Sequence, residues 1–358
     1  MIDVINRSTG PTTLPDEVRQ ALSNQVISHR SKQFEKLIEN ITKNLSLMVN
    51  SSERPLLLTG SGTAGLDAGI SSIITETDTV LVLSAGYYGD LLRIIAKTYC
   101  NNIDIINYKP GEIIDDSRLK NILTKKAYKV ILMTHSESST GVLHPIKDII
   151  NTIKKYSDAL ILIDAVSSLG VTSINFKEWG IDLMVSATQK GLMSPPGVAI
   201  IFLSRKAKDK IISNNSSNFY CDLRKYINYM SNFQVPFTPA INTFFGLNIA
   251  LELIKKEGFD KVYSRHRNAS EIIITTFSNS EIKLFAKSHP APGITALLLP
   301  NNYEAVEMQK YLANELNIFI STGLSFWTNK VLRIGHMGWF RLEEVSSSAT
   351  SIRNLFKA

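Results

Sequence analysis

The 358-residue chain has only two cysteines, Cys100 and Cys221. Two cysteines are too few for a disulfide framework, and their separation does not match the spacing of metal ligands. No apolar run reaches the roughly 18 residues that a transmembrane helix needs. The N-terminus shows no basic region followed by an apolar stretch, so we expect no signal peptide. A cytoplasmic protein with no membrane partner is therefore the expectation.

The chain also lacks a concentrated basic stripe, although its formal net charge is +7. Its lysines are scattered in short pairs, such as Lys125 with Lys126, which are typical of solvated helix and loop faces. A nucleic-acid partner is therefore not expected. A positive balance of this size instead favours a mild attraction for anionic substrates.

Short apolar runs alternate with longer helical patterns between residues 55 and 205. Several runs are nearly continuous in Val, Ile and Leu, as expected when helices cover both faces of a parallel sheet. The alternation predicts an α/β fold with a mainly parallel, seven-stranded sheet. The predicted strands are residues 55–59, 79–84, 103–108, 130–134, 159–164, 182–186 and 198–203.

The pattern changes after residue 203. A polar loop at 213–218 precedes a long helix at 242–257, which Gly258 closes. The rest mixes short strands with helices. We therefore predict a large domain of residues 1–257, N-terminal segment included, and a smaller α+β domain of residues 258–358. The later helices are expected at 261–278, 303–315 and 343–356, and the strands at 296–299 and 332–334.

Asp164 ends one of the predicted strands, at the carboxyl edge where open α/β sheets bind ligands. An acid there can keep the ring nitrogen of an aromatic cofactor protonated, and that charge makes the ring an electron sink. Taken alone, Asp164 could equally be a helix N-cap.

Lys190 follows the next predicted strand and is flanked by small residues and turn formers, including Gly191 and Pro195. A lysine in this setting can be partly desolvated, which lowers its pKa and frees the amine for imine chemistry. A single lysine proves nothing. Together with the strand-end Asp164, however, Lys190 is interpreted as the residue that binds a carbonyl cofactor.

A Gly-Ser-Gly-Thr loop at residues 60–63 lies between a predicted strand and a predicted helix. Glycine lets the backbone approach a ligand closely, and a helix N-terminus presents free N–H groups to an anion. The loop lacks the Gly-Lys-Ser/Thr ending of a nucleotide P-loop and the GxGxxG pattern of dinucleotide folds. It could be a plain turn, but the phosphate monoester of pyridoxal 5′-phosphate (PLP) fits it best.

These segments together resemble class-V aminotransferases of PLP fold type I. That family contains alanine–glyoxylate and serine–pyruvate aminotransferases and 2-aminoethylphosphonate–pyruvate transaminase. The resemblance runs along nearly the whole chain and is far more specific for the family than for a substrate. Its motifs lie at residues 10–13, 28–30, 60–63, 134–141, 164–168, 187–190, 238–239 and 333–338.

The resemblance implies a role for each matching residue. Lys190 would form a Schiff base with PLP and move the proton of the substrate, and Asp164 would pair with the pyridine nitrogen. Tyr88 would stack on the ring, where many relatives have Trp or Phe, and Ser138 would contact the ring and its 3′-oxygen. The phosphate would be bound by Ser61, Gly62, Thr63 and Gln189, and by Thr238 of the other subunit.

The substrate carboxylate would be bound by Arg333 through a bidentate pair that lysine cannot make. Gly10 would also contact the substrate. A tyrosine that reaches the phosphate in relatives is Val235 here, so that contact is missing or replaced. Two plainer alternatives stay open: Tyr88 as a core or surface aromatic residue, and Arg333 as part of a surface salt bridge.

The resemblance implies a homodimeric PLP-dependent aminotransferase. It would move an amino group from a small amino acid of the alanine or serine type to a 2-oxo acid such as glyoxylate or pyruvate. 2-Aminoethylphosphonate–pyruvate transamination is the first alternative, because it uses the same lysine, aspartate and arginine. A cysteine desulfurase is the second, but neither Cys100 nor Cys221 lies at the C-terminal loop position that such enzymes use.

Overall fold

The computed structural model describes residues 4–214 and 218–356. Buried apolar side chains form two main cores, a larger one between Val18 and Tyr263 and a smaller one between Ala269 and Ile352. Each core surrounds its own sheet. No helix in the described ranges is both long enough and apolar enough to cross a membrane.

The strands in the described residues are β1 (Ile5–Arg7), β2 (Leu56–Thr59), β3 (Thr79–Ser84), β4 (Asn102–Asn107), β5 (Val130–Thr134), β6 (Ser136–Glu137), β7 (Val142–Leu143), β8 (Leu160–Asp164), β9 (Leu183–Ala187), β10 (Val198–Leu203), β11 (Lys283–Leu284), β12 (Ile294–Leu298), β13 (Ile318–Thr322) and β14 (Val331–Gly335). The helices are α1 (Asp16–Ala21), α2 (Lys32–Met48), α3 (Gly62–Ile73), α4 (Tyr87–Tyr99), α5 (Leu119–Leu123), α6 (Ile146–Tyr156), α7 (Phe176–Trp179), α8 (Arg205–Ser213), α9 (Leu223–Met230), α10 (Ile241–Glu257), α11 (Phe259–Phe277), α12 (Ala305–Leu316) and α13 (Leu342–Asn354), with a short 3₁₀ turn at Ser325–Trp327.

The larger sheet has the order β2-β10-β9-β8-β5-β3-β4. Its neighbours pair in parallel except at β10, which runs antiparallel to both β2 and β9. Helix α3 packs on β9 and β10, and α4 packs on β3, β4 and β5. The predicted α/β fold is confirmed, and each predicted strand of this sheet agrees with an observed one to within a residue at either end.

The smaller sheet has the order β1-β13-β14-β12-β11, with α11, α12 and α13 packed against its strands or one another. Strand β1 comes from the N-terminus and pairs in parallel with β13. The N-terminal segment, grouped with the large domain from the sequence, therefore contributes to the second sheet. Strand β1 has only three residues, too few to show the alternation of a strand, and its partner β13 lies near the other end of the chain. The division at residue 257 stays a prediction.

Helix α2 is the longest element that the sequence analysis did not predict. Its buried residues Phe34, Ile38, Ile41 and Leu45 follow helical spacing, and the hydroxyl of Ser31 accepts a hydrogen bond from Phe34 N at 3.2 Å. A capping serine followed by this spacing is a sequence signal for a helix. The loop predicted at 213–218 lies partly outside the described residues, and Ser213 ends α8.

Candidate active site

The carboxyl ends of β2, β8 and β9 meet at one edge of the larger sheet. Because β10 is antiparallel to both β2 and β9, these two strands run in the same direction. A cavity of about 210 Å³ lies at this edge, as expected for a ligand site in an open α/β sheet. Nine of the residues predicted from the sequence line it: Gly10, Ser61, Gly62, Thr63, Tyr88, Ser138, Asp164, Gln189 and Lys190.

Lys190 lies just beyond β9 in a turn that Met193 N closes by donating to the Lys190 carbonyl at 3.0 Å. Its Nζ donates a hydrogen bond to the carbonyl of Thr9. The pKa of this amine is lowered to about 8, first by burial and then by the charge of Arg333, while Asp164 opposes both effects. Roughly a tenth of the amine is therefore unprotonated at pH 7, far more than for an ordinary lysine, and the unprotonated amine is the form that attacks a carbonyl.

Asp164 is the last residue of β8, and its Oδ1 accepts a hydrogen bond from Val166 N at 2.9 Å. This contact is of the capping type, but the carboxyl group also lines the cavity. The pKa of Asp164 is raised to about 7, mainly by burial and also by the charge of Glu137. The hydrogen bond from the Val166 amide and the charge of Lys190 oppose this rise. A cationic group bound beside Asp164 would therefore stabilise its ionised form.

The loop before α3 forms one wall of the cavity. Ser61 caps the helix by accepting a hydrogen bond from Ala64 N at 3.2 Å. A Cβ atom at Gly62 would lie 2.9 Å from Val166 Cγ2 and 3.2 Å from the Cβ of Ala187, so the backbone passes close to both neighbouring turns. Gln189 Oε1 is buried and has no hydrogen-bond partner among the described residues. Oε1 is an acceptor, so a contact of this side chain with an anionic group would be made by its Nε2.

Tyr88 and Ser138 form the opposite wall. Tyr88 is half-buried in the first turn of α4, and Ser138 Oγ donates to Ser167 Oγ at 2.7 Å. Burial raises the pKa of the Tyr88 phenol, and the nearby charge of Arg333 opposes that rise. Tyr88 is thus part of the cavity wall, not an ordinary core or surface aromatic residue.

Arg333 lies on β14 and is only 5% exposed. Its Nε donates to the Thr322 carbonyl at 2.8 Å and its Nη1 to the Ser138 carbonyl at 3.2 Å. No carboxylate of the described residues forms a salt bridge with it, so the surface salt-bridge alternative is wrong. Arg333 lies behind the cavity wall, yet its charge lowers the pKa of Lys190.

Gly10 contributes by having no side chain. Its φ is +112°, and a Cβ atom there would lie 2.6 to 2.8 Å from Cδ, Nζ and Cε of Lys190. Any larger residue would therefore displace the lysine. This contact explains the position of Gly10 in the cavity without requiring a direct contact with substrate.

Thr238 is the one predicted site residue outside both the cavity and its immediate wall. It is exposed, in the loop before α10. The same loop is held near the end of β2, because Ala240 N donates to Thr59 Oγ1 at 3.2 Å. Val235, in the position of the relatives' tyrosine, is buried and contributes no phosphate-binding atom from its side chain.

Glu137 is a buried residue near the site to which the sequence analysis gave no role. Its carboxylate accepts hydrogen bonds from Gly89 N at 3.0 Å, Tyr88 N at 3.3 Å and Ser139 N at 3.2 Å. It therefore caps α4 from another part of the chain, because Gly86 at the start of that helix has no side chain to do so. Burial raises the pKa of Glu137, and these hydrogen bonds oppose the rise. A single acidic residue in the polar stretch 134–140, which otherwise has no acidic or basic side chain except His135, was the available sequence signal.

The residues of the cavity fit PLP. An amine with a lowered pKa, a carboxyl group with a raised pKa and a glycine loop at a helix start match its aldehyde, ring nitrogen and phosphate. The fold and this set of groups define a PLP-dependent enzyme of fold type I.

The chain belongs to the family described as Aminotransferase class-V, whose model matches residues 4–342. It is 34% identical to an uncharacterized aminotransferase of Methanocaldococcus jannaschii over 97% of this chain and 91% of that protein. It is 31% identical to a Synechococcus sp. protein named soluble hydrogenase, small subunit, over 96% of this chain and 90% of that one. The crystal structure of alanine–glyoxylate aminotransferase from Nostoc sp. is 27% identical, with a TM-score of 0.93, over 98% of this chain and 96% of that one. The protein is accordingly a PLP-dependent aminotransferase.

Proposed function

We propose that this aminotransferase moves an amino group from a small amino acid of the alanine or serine type to glyoxylate or pyruvate. The observation that carries the proposal is that Lys190, whose pKa is lowered, lies near a buried Arg333 that forms no salt bridge with a carboxylate of the described residues. The similarity to the alanine–glyoxylate aminotransferase of Nostoc sp. supports the choice of substrates.

Lys190 has two tasks in this proposal. Its neutral amine would hold the aldehyde group of the cofactor, and the same Nζ would take the proton from the substrate Cα. A pKa of about 8 suits both tasks, because a general base works best when its pKa is near the working pH. Bound PLP supplies the electron sink for the negative charge that develops at Cα.

Asp164 holds the proton on the pyridine nitrogen. The carboxyl group is buried beside Glu137, whose charge is one cause of its raised pKa, so it gains a favourable ion pair when a cation lies next to it. Tyr88 lies across the cavity, where its ring can stack on the cofactor. The phosphate would be held by the loop of Ser61, Gly62 and Thr63 with Gln189, all of which line the cavity.

Arg333 binds the substrate carboxylate. Two of its donors are held by the carbonyls of Thr322 and Ser138, which fixes the plane of the guanidinium group. A carboxylate that reaches it gains charge-assisted hydrogen bonds in a site of low local dielectric. The substrate is thereby oriented with its Cα near Lys190.

2-Aminoethylphosphonate as donor is less well supported. A phosphonate carries more charge than a carboxylate, and Lys190 is the single cationic side chain among the described residues that line the cavity. Lys190 would be engaged by the cofactor. A monocarboxylate, for which Arg333 suffices, fits these charges better.

A cysteine desulfurase activity is not supported either, because neither cysteine lines the cavity. The buried Cys100 Sγ donates to the Asp78 carbonyl at 2.8 Å. Burial raises the pKa of both Cys100 and Cys221, which disfavours the thiolate that such chemistry needs.

A cytoplasmic homodimer completes the proposal. Both cysteines are free, as is usual in a reducing compartment. The exposed Thr238 is available to a second subunit, and Phe219 nearby is 75% exposed, so a second copy would cover a large apolar side chain at this face. The proposed division at residue 257 into a large and a small domain is kept, with β1 of the N-terminal segment contributing to the sheet of the small one.

The proposed function is tested with purified holoenzyme and a panel of amino donors, including alanine, serine, aspartate and 2-aminoethylphosphonate, against glyoxylate and pyruvate. Formation of the keto product with alanine or serine is expected, and Lys190→Ala should abolish it. Turnover that is confined to 2-aminoethylphosphonate, or wild-type turnover by Lys190→Ala, would contradict the proposal.

A further inference from the structure

The loop that follows β14 packs against the peptide carbonyl of Lys190. A Cβ atom at Gly338 would lie 3.0 Å from the Lys190 carbonyl oxygen and 2.8 Å from Thr12 Oγ1. Gly338 has a φ of +77°, so its Cα faces this contact in a conformation that other residues rarely adopt. Thr12 Oγ1 also donates to the Lys190 carbonyl at 3.1 Å. The backbone of the lysine is therefore held between the N-terminal segment and this loop.

Two neighbouring side chains of α11 hold Gly338 from the other side. Arg265 Nη1 donates to the Gly338 carbonyl at 2.9 Å, while its Nε and Nη2 donate to Glu257 at 2.7 and 3.1 Å. His266 Nε2 accepts from Gly338 N at 3.1 Å. Both polar groups of the Gly338 backbone are thus bound by adjacent residues of one helix.

The hydrogen bonds of His266 define its protonation. Because Nε2 accepts from Gly338 N, Nδ1 carries the proton and donates to the Val262 carbonyl at 2.7 Å. Burial lowers the pKa of His266 to about 3, and the nearby Arg265 and His336 lower it further, so the ring stays neutral in any physiological range. His266 therefore acts as a fixed acceptor and not as a proton carrier.

We propose that Arg265 and His266 are positioning residues for Lys190, which act by holding Gly338 against the lysine peptide. The inference rests on Lys190 being the cofactor-binding residue of the proposed function. Strand β14 also carries Arg333, so one strand and its following loop fix both the lysine backbone and the carboxylate-binding group. Release of Gly338 leaves the fold of α11 in place but lets the Lys190 turn loosen and its amine become hydrated.

The test measures how fast the full-length protein, stripped of cofactor, captures added PLP at Lys190 as a function of pH. Borohydride reduction and peptide mass identify the lysine. In the wild type the rate should rise with a midpoint near pH 8, as burial of the amine requires. In His266→Leu the midpoint should move upward, because a hydrated lysine has a pKa closer to 10.4, and the rate at pH 7.5 should fall about tenfold.

Rescue separates positioning from a general structural role. His266→Gln keeps an acceptor for Gly338 N and a donor for Val262, so it should restore the wild-type midpoint. Arg265→Met should shift the midpoint in the same direction as His266→Leu. The charged groups that act on Lys190, Arg333 and Asp164, are unchanged in all three variants.

His144→Leu is the matched control, because His144 is also buried and neutral and its Nδ1 also accepts one backbone hydrogen bond, from Ile114 N at 3.1 Å. It should lower the thermal stability without moving the midpoint. If His266→Leu behaves like His144→Leu, with a lower Tm and an unchanged midpoint, the positioning role is wrong. If the wild type does not capture PLP at Lys190, the proposed function fails instead.

Discussion

Asp164 and Lys190 have pKa values that burial shifts toward neutrality from opposite sides, to about 7 and about 8. Each group is costly to bury in its charged form without a partner. A cofactor that offers a cationic ring nitrogen to one and an aldehyde to the other relieves both costs. Without such a partner both groups lie in an unfavourable electrostatic environment, so substitutions of Asp164 and of the neighbouring Arg333 should have measurable effects.

Asp164→Asn should make the cofactor-free protein more stable at pH 8 and leave it nearly unchanged at pH 4. The folded-state pKa of Asp164 is raised above its unfolded value, so the folded state binds the extra proton between about pH 4 and pH 7. The wild type therefore loses stability as the pH rises through that window, by about 1–4 kcal/mol in total. Urea unfolding at both pH values measures this. An effect of equal size at both would contradict the assigned pKa shift.

The same substitution should slow transamination by the holoenzyme about 10²–10⁴-fold, because an amide cannot keep the pyridine nitrogen protonated. Single-turnover kinetics at saturating PLP isolate this step from cofactor binding. A change smaller than about threefold would mean that Asp164 serves mainly as the cap of the Val166 amide.

Arg333→Lys should lower kcat/KM for carboxylate substrates about 10–10³-fold. Lysine keeps the charge but cannot donate to Thr322 and Ser138 in the plane that orients the guanidinium group. Covalent capture of PLP at Lys190 should remain, because Arg333 is predicted to bind substrate and not cofactor. If Arg333→Lys kept full activity toward every carboxylate substrate tested, Arg333 would not be the residue that binds the substrate carboxylate.

At the scale of elements, helix α4 depends on a carboxylate that is not its own. Glu137 accepts hydrogen bonds from Tyr88 N and Gly89 N, and Ser139 Oγ accepts one from Tyr87 N at 3.1 Å. A Cβ atom at Gly86 would lie within 2.7 Å of Ser139 Oγ and of the Glu137 side chain. These hydrogen bonds hold the start of α4 against β6. They thereby also fix the position of Tyr88 in the cavity wall.

Glu137→Gln should destabilise the protein by about 1–3 kcal/mol, because an amide replaces one acceptor oxygen with a donor facing backbone N–H groups. It should also lower the pKa of Asp164, since the Glu137 charge is one cause of its rise. Denaturant unfolding across pH measures both effects. Glu112→Gln is the control, because Glu112 is a surface carboxylate in a 2.7 Å pair with Lys287 and should contribute little. Equal losses in the two variants would argue against the capping role.

Elements with strong local patterns could be predicted from the sequence, and those built by distant pairing could not. Apolar runs such as β5 and β8 predict buried parallel strands. Asp164 could be singled out because it ends such a strand, and Lys190 because it lies just beyond one. Strand β1 has no local signal, because its partner β13 lies some 300 residues away. The capping role of Glu137 could not be predicted for a related reason, because the helix that it caps belongs to another segment of the chain.

At the scale of the whole molecule, the N-terminal segment joins the two sheets. Strand β1 pairs in the smaller sheet, and within a few residues Thr9 accepts from Lys190 Nζ and Thr12 N donates to Gln189 O at 3.1 Å. The lysine turn of the larger sheet is thereby linked to the sheet that carries Arg333. A movement of one sheet relative to the other would be transmitted to both groups that hold the reactants.

The exposed position of Thr238 leads to a prediction about assembly. If Thr238 binds the phosphate of the partner's cofactor, each site of an isologous dimer combines Lys190 of one subunit with Thr238 of the other. Sedimentation should show a dimer, and Thr238→Ala should weaken PLP binding about tenfold, as loss of a hydrogen bond to a charged group does. A fully active monomer would exclude this arrangement.

Hybrid dimers distinguish contact across the interface from contact within one chain. When Lys190→Ala and Thr238→Ala subunits are mixed, contact across the interface leaves one site with both residues intact and the other with neither. Half of the sites in each hybrid should then bind PLP covalently with wild-type affinity, as measured by absorbance titration of the purified hybrid. If Thr238 serves its own chain, every intact Lys190 in the hybrid lies beside a missing threonine, and no site reaches wild-type affinity.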